Sequence, residues 1–400
     1  MMTTVPPAEP WPALAWEKQT WVPSTVWGVD AERAPGGLPY RSALPAPIAQ
    51  LHPAPTSETG AAADAAAREL SRLDAELGGR VAAFAPVLLR SEAASSSQIE
   101  NITASARAIF SAELGAKTSR NAEMITANTR AMSAAIELAD DVTPGTIARM
   151  HEVLMTGQSR HTPGLWRDEA VWIGARSDTP IGAEFVAPHH SRIEALLADV
   201  TAFSRRVDIA PLVQVAVAHA QFETIHPFTD GNGRTGRALA QSLLRYRGVT
   251  RNVAVPVSAG LLADVEGYHR ALSAYRDGDV SPIVTAFADA TLRAVGNTRT
   301  LVAELDEIRS SWNERLRVRR SSNAWKLLDV LLRRPVLTAA AAAAELGVQQ
   351  PNVYPPLAAL VDAGILISKA EHRLGPFWRS EDVLTAIDDF AERAGRREAR

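Results

Sequence analysis

The sequence predicts a mainly α-helical fold: a helical core broken by one small β-hairpin, a helical region before it and a winged helix after it. Three observations carry that prediction. Apolar residues recur at three- and four-residue spacings over most of residues 61–318. The period breaks once, at 171–188, where two short β-prone runs flank a turn-rich middle. After 323, three short helical patterns lead into Ile365-Leu366-Ile367.

Taken in order, residues 1–55 hold 11 of the 25 prolines and show neither helical nor strand period, which reads as an extended arm. Trp11, Trp16, Trp21 and Trp27 argue that this arm lies on the folded body, because disordered segments are poor in aromatics. Residues 56–142 form a helical region whose stripe includes Leu70, Leu73, Leu77, Val81, Phe84, Val87 and Leu88. Thr143 and Pro144 then read as the N-cap and first position of a helix through Ile147, Met150 and Leu154. Val171-Trp172-Ile173 and Phe185-Val186 form the hairpin around Gly174 to Gly182. Pro211 to Ile225 is apolar nearly all round, hence a buried helix, and Pro227 stops it. A second helix opens at Thr235-Gly236-Arg237 and runs to Gly248. A core ending near 305 leads through a linker helix, 306–322, to the winged helix-turn-helix at 323–380 and a tail helix at 381–400.

Composition narrows the function. The 400 residues carry 42 Lys and Arg against 45 Asp and Glu, a net charge of −3, which excludes a strongly basic nucleic-acid coat. The absence of cysteine excludes disulfide scaffolds, zinc ribbons and thiol nucleophiles. No secretory pattern and no run of about 18 apolar residues is found, so a cytoplasmic protein without a membrane partner is expected.

The chemistry is concentrated in His226-Pro-Phe-Thr-Asp230-Gly231-Asn232-Gly233-Arg234-Thr235-Gly236-Arg237. Gly231 and Gly233 can take positive φ, so successive N–H groups can face one concavity at a helix N-terminus, a ready anion site. Arg234 and Arg237 stand three apart and can both reach a polyphosphate. Asp230 has the wrong sign for phosphate unless a divalent cation bridges them, as Mg²⁺ does with one carboxylate and substrate phosphates. His226 supplies an imidazole suited to general-base work. Gly231 to Gly236 also spells G-x-G-x-x-G, but a helix rather than a strand precedes it and no acid follows at the required distance. His219, seven residues before His226, lacks a third ligand and is expected to be packed and hydrogen-bonded.

These twelve residues resemble the Fic (Fido) signature H-P-F-x-[DE]-G-N-G-R-x-x-R, with every fixed position filled. Gly164-Leu-Trp-Arg167 resembles an upstream G-x-x-R element, and 172–188 resembles the family's flap, which docks the target backbone as an added strand. Ser96-Ser-Ser-Gln-Ile-Glu100-Asn101 is similar to the inhibitory motif [ST]-x-x-x-E-[GN] of the class II type. The resemblance covers roughly Pro39 to Leu305, with 143–305 as the Fic core, and the tail resembles the winged helix that some members append.

The resemblance implies transfer of AMP from ATP, with Mg²⁺, to a hydroxyl of an unidentified target protein and of the enzyme itself. His226 would be the base and Asp230 would hold Mg²⁺. Gly231, Asn232 and Gly233 would cradle phosphate, Arg234 and Arg237 would neutralise it, and Thr235 and Gly236 complete the ATP-binding set. Glu100, sharing a helix face with Ser96, would hold Arg237 away from the γ-phosphate. Ile181 and Phe185 either clamp the target side chain or pack the hairpin, and Tyr268 either stacks near adenine or is an ordinary packed tyrosine.

The tail leaves alternatives open. Gln349, Gln350, Asn352 and Tyr354 lie where base-reading side chains would sit, with Arg373 in the wing. Against DNA stand Pro351, Pro355 and Pro356, which delete donors, delay the helix and push Tyr354 out of the α region. A dimerisation or target-docking role is the competing expectation. A nucleotide-sensing DNA-binding regulator is the rival to the enzyme. Within the enzyme class, another nucleotide donor or removal of AMP remains open.

Overall fold

A computed structural model describes residues 10–22, 37–158, 161–174, 176, 178–371 and 375–395. Trp27 of the arm and Arg373 of the wing lie outside the described residues. The chain divides into two compact units: residues 1–65, 134–247 and 266–288 form the first, and 66–133, 248–265 and 289–400 the second.

The first unit is organised around two helices. One, α7 (Pro211–Ile225), is buried from Leu212 to Ile225, as an all-apolar surface requires. It packs against α6 (Ile193–Ser204) and α8 (Asn232–Tyr246). The amide of Gln214, fully buried in α7, donates to the carbonyls of Phe203 at 2.7 Å and Arg206 at 2.8 Å, so the polar group within this apolar helix is satisfied. Before them, α5 (Pro144–Met155) opens with Thr143 in a reciprocal capping box and Pro144 in its first turn, as expected.

The arm pairs with itself. Strands β1 (Ala15–Trp21) and β2 (Leu38–Leu44) pair antiparallel over seven residues, from Ala15 opposite Leu44 to Trp21 opposite Leu38. Helix-period reasoning misses such a pairing because the two runs are 16 residues apart and interrupted by prolines. The arm lies on its own unit through Asp199, which accepts the N–H groups of Ile48 and Ala49 at 2.6 and 3.1 Å. The hairpin read from the sequence is present as β3 (Trp172–Ile173) and β4 (Phe185–Val186).

In the second unit, α2 (Val81–Ile99) runs beside α12 (Ala324–Arg333), and α3 (Ala106–Glu113) follows it. Glu92 of α2 accepts the Ser258 N–H at 2.9 Å and its hydroxyl at 2.6 Å. That carboxylate satisfies a first-turn donor of the short helix α9 (Val257–Leu262). The segment expected to be a winged helix-turn-helix contains α12, α13 (Ala339–Leu346) and α14 (Tyr354–Asp362), with a three-stranded sheet in the order β5 (Val336–Thr338), β7 (Gly375–Arg379), β6 (Ile367–Glu371). Tyr354 corrects the expectation drawn from Pro355: its φ of −64° and ψ of −44° are α-helical. Pro355 and Pro356 occupy the first turn of α14, where a missing N–H costs nothing and the proline φ is already helical. No helix of the described residues is long and apolar enough to cross a membrane.

Candidate functional site

Helix α7 ends on His226, whose φ of 49° and ψ of 62° are left-handed. Only Asn101 and His226 adopt positive φ among the described non-glycine residues. For a residue with a Cβ this conformation is costly and persists where neighbours over-determine it. Those neighbours are identifiable. The His226 N–H closes on Phe222 O at 2.9 Å, and Pro227 forbids further α-helix. The His226 carbonyl accepts Arg167 Nε–H at 2.8 Å.

Arg167 is the latch of this corner. It is 4% exposed and donates Nη1–H to Glu169 O at 2.8 Å and Nη2–H to Pro188 O at 2.6 Å, while its own N–H donates to Pro227 O at 3.0 Å. One rigid fork thus ties the imidazole-bearing residue to the segment that follows the hairpin. Burial lowers the guanidinium pKa to about 10, so it stays charged at neutral pH.

His226 Nδ1 lies 3.4 Å from Glu223 O, a contact that favours the proton on Nδ1 and orients the ring. His226 is half-buried, which leaves the ring accessible.

The turn after it is built tightly. Gly231 has φ of 76° and forms the N-cap of α8; a Cβ there would meet Leu154 Cδ2 at 3.1 Å and Met155 Sδ at 3.2 Å. The helix therefore starts at Asn232, three residues earlier than expected from Thr235, and Gly233 lies within its first turn. Gly233 is not among the positive-φ glycines, so only one of the two expected left-handed residues is needed. The early start has a cause: buried Asn232 accepts the Phe228 N–H at 2.9 Å and returns Nδ2–H to Phe228 O at 2.8 Å, clamping the turn from inside the helix.

Asp230 stands at the rim, half-exposed, with Oδ2 3.5 Å from Arg234 Nη2. Arg234 and Arg237 are both buried on α8, as are Thr235 and Gly236. A Cβ on Gly236 would fall 2.4 Å from Glu223 Oε1 and 3.0 Å from Phe222 Cδ1, so α7 and α8 approach this closely only because that position is glycine. His219 is packed as expected, with Nε2 2.7 Å from the Tyr268 hydroxyl. Tyr268 itself is 3% exposed, so a stack on adenine would require its ring to leave this packing.

Two histidines escaped the sequence reading. His151, on α5, lies 3.6 Å from Phe228 in a parallel stack. Its Nδ1 accepts the Gly164 N–H at 3.0 Å, which requires Nε2 to carry the proton it donates to Asp230 O at 3.1 Å. Burial pushes its pKa down to about 4, so it is neutral at physiological pH. His161 places Nδ1 3.0 Å from Thr229 Oγ1 and Nε2 3.8 Å from Asp230 Oδ2. One signal was available: His151 sits on the apolar stripe of α5 with Ile147 and Leu154, where a polar side chain needs a reason.

The flap separates its two candidates. Phe185 is buried with Ala43 and Ala187, and the Arg276 guanidinium lies 3.8 Å over its ring. Ile181, by contrast, lines a cavity of about 260 Å³ with Pro180, Glu184 and the hairpin residues Trp16, Tyr40 and Arg41.

The inhibitory-type motif belongs to the second unit. Ser96 is buried in the last turns of α2, and Glu100 is its exposed C-cap. Asn101 is left-handed at φ 60°. Asn101 N–H donates to Gln98 O at 2.9 Å and Ile102 N–H to Ser97 O at 3.0 Å, a Schellman ending. Gln349, Gln350, Asn352 and Tyr354 are all exposed, at and just before the start of α14.

The pair α7–α8 joins a histidine-bearing helix end, through a short turn, to the N-terminus of a helix carrying two buried arginines. Comparison with known proteins narrows it. Residues 141–244 match the Fic/DOC family and residues 61–137 the Fic/DOC family N-terminal region. These two segments, together under half of the chain, are similar to the Fic/DOC family. Among curated proteins, the protein adenylyltransferase fic-1 of Caenorhabditis elegans is 30% identical over 145 residues, 36% of this chain and 26% of that protein. The protein adenylyltransferase Fic of Drosophila melanogaster is 27% identical over 198 residues, 48% of this chain and 38% of that protein. The matches thus span about a quarter to two fifths of these relatives. A crystal structure of a Fic family protein from Desulfovibrio desulfuricans aligns with a TM-score of 0.48 at 23% identity, over 79% of this chain and 95% of that one.

Proposed function

We propose that the protein is an adenylyltransferase that moves AMP from ATP to a hydroxyl of a target protein and of itself, held back by Glu100. One observation carries the reading. His226 ends α7 and Gly231 caps α8, whose first two turns carry the buried Arg234 and Arg237, with Asp230 between them at the rim. An imidazole base beside an anion cradle is what transfer of a phosphoryl-type group to a hydroxyl requires.

In the proposed reaction His226 Nε2 takes the proton of the target hydroxyl. The freed oxygen bonds to the α-phosphorus of ATP, and the bond from that phosphorus to the bridging oxygen breaks, releasing pyrophosphate. The amides opening α8 and the guanidinium groups of Arg234 and Arg237 stabilise the phosphate charge. The Asn232 amide keeps the turn in shape by its two bonds to Phe228. Arg167 and His151 position His226 and the Asp230 carbonyl respectively.

The residues fit Mg²⁺. Asp230 offers a half-exposed hard oxygen donor, the kind that holds Mg²⁺ through one carboxylate together with substrate phosphates. When bound, Mg²⁺ would neutralise α- and β-phosphate charge. Ile181 and the cavity beside it are proposed to receive the target side chain, with the flap docking the target backbone.

The test is transfer of label from α-labelled ATP by a Glu100→Gly protein and by Glu100→Gly/His226→Ala. Label should appear on the first and not on the second, with nucleotide binding retained in both. Undiminished labelling by the double variant would remove His226 from the role of base. A Glu100→Gly protein that binds ATP yet is as silent as wild type would defeat the autoinhibition.

A further inference from the structure

The turn that carries Glu100 is gripped from outside by the far end of the chain. Past the left-handed Asn101, Ile102 to Ser105 lead directly into α3, with Ser105 as its N-cap accepting the Ala108 N–H at 3.3 Å. Helix starts leave their first N–H groups without intrahelical partners. Ala106, the first residue of α3, gives its N–H to Asp388 Oδ1 at 2.7 Å, and Asp388 is 282 residues further along the chain. On the other side of the same turn, Gln98 Nε2 stands 3.7 Å from where a Cβ on Gly395 would sit. Asp388 and Gly395 both belong to α15 (Glu381–Gly395), so one helix touches the motif segment before and after Glu100.

That helix is itself held at several levels along α11 (Ser281–Arg315). Asp382 accepts from Trp312 Nε1 at 2.9 Å and Arg315 Nη1 at 3.2 Å. Phe390 O accepts from Asn297 Nδ2 at 3.3 Å. Arg393 donates to Asn297 Oδ1 at 3.0 Å and makes a two-pronged pair with Glu304 at 2.8 and 3.0 Å. Residues 297, 304 and 312 follow one face of α11 at seven- and eight-residue steps. Several independent attachments make α15 a strut rather than a loose tail, so a force on it reaches Ala106 without being absorbed.

We propose that α15 is a clasp that holds the Glu100 turn in its restraining position, so that the segment appended after the Fic/DOC match governs the autoinhibition. The proposal rests on the reading of Glu100 given above. Loss of the Asp388–Ala106 bond frees the start of α3 and, through the four residues between, the Schellman turn at Asn101.

Two substitutions remove the same bond from opposite ends. Asp388→Ala deletes the acceptor. Ala106→Pro deletes the donor at the first helical position, where proline is favoured, and the Ser105 φ of −68° and ψ of 153° suit a residue before proline. In the full chain, each should speed amide exchange at residues 100–105 by roughly tenfold, as loss of one charge-assisted hydrogen bond allows. Each should raise auto-adenylylation several-fold. The double variant should add nothing to either single one, and Asp388→Ala in a Glu100→Gly background should leave the rate unchanged.

Unchanged exchange at 100–105 in both single variants overturns the clasp, whatever the activity. Faster exchange with no gain in labelling, while Glu100→Gly is active, overturns its regulatory role. A silent Glu100→Gly protein instead overturns the underlying autoinhibition and the clasp's control of it together, while the exchange data still report whether the contact holds the turn.

Discussion

Replacing Arg167 should separate the fold of the site from its nucleotide chemistry. The side chain makes three close charge-assisted bonds, to His226 O, Glu169 O and Pro188 O, at 2.6–2.8 Å, and is almost wholly buried. Each such bond contributes about 1.5–3 kcal/mol. Arg167→Ala also leaves three carbonyls to find water or go without, and the buried-network precedent is a loss of about 3–5 kcal/mol. For a unit of about 200 residues that lowers Tm by roughly 10 °C. Arg167→Lys keeps the charge, but one ammonium cannot reproduce a fork that reaches three carbonyls, so roughly half that loss is expected. The His226 carbonyl loses its anchor in both, and displacement of the base by about 1 Å should cost roughly 100-fold in AMP transfer. ATP affinity should change little, since Arg167 makes no bond to α8 among the described residues. Calorimetry, nucleotide titration and label transfer on the two variants form the assay. Wild-type Tm and transfer in Arg167→Lys would refute the latch.

Two further outcomes follow from the same corner of the fold. The left-handed backbone of His226 costs a Cβ-bearing residue about 1 kcal/mol that glycine avoids, so His226→Gly should be more stable than His226→Ala by that amount in urea unfolding, although both lack transfer. His219 is buried beside the Tyr268 hydroxyl, and burial depresses its pKa to about 3 from 6.5. The unfolded chain therefore binds this proton more readily, so the stabilisation is complete above pH 6.5 and is lost as pH falls. Between pH 6.5 and 5 the loss should be roughly 2 kcal/mol, and His219→Gln should remove that slope from the urea midpoints; an unchanged slope would contradict the buried neutral imidazole.

Most members of the candidate site are legible in the sequence alone. The spacing from His226 to Arg237 sets which groups can meet, because twelve residues across a helix end and a helix start cannot separate far. Local chemistry also sufficed for the Thr143–Pro144 start, the buried α7 and the β3–β4 hairpin, each specified by neighbours in sequence. What escaped depended on partners distant along the chain. The pairing of β1 with β2, the bond from His151 to Asp230, the latch of Arg167 on His226 and the contact of Asp388 with Ala106 span gaps that no periodicity encodes. The start of α8 at Asn232 belongs to the same group, since a side chain reaching back to Phe228 decided it rather than helix propensity. A residue's type fixes what it can donate or accept. Only packing decides which backbone group stands within about 3 Å of it, and here that choice determines the tautomer of His151 and the left-handed pose of His226.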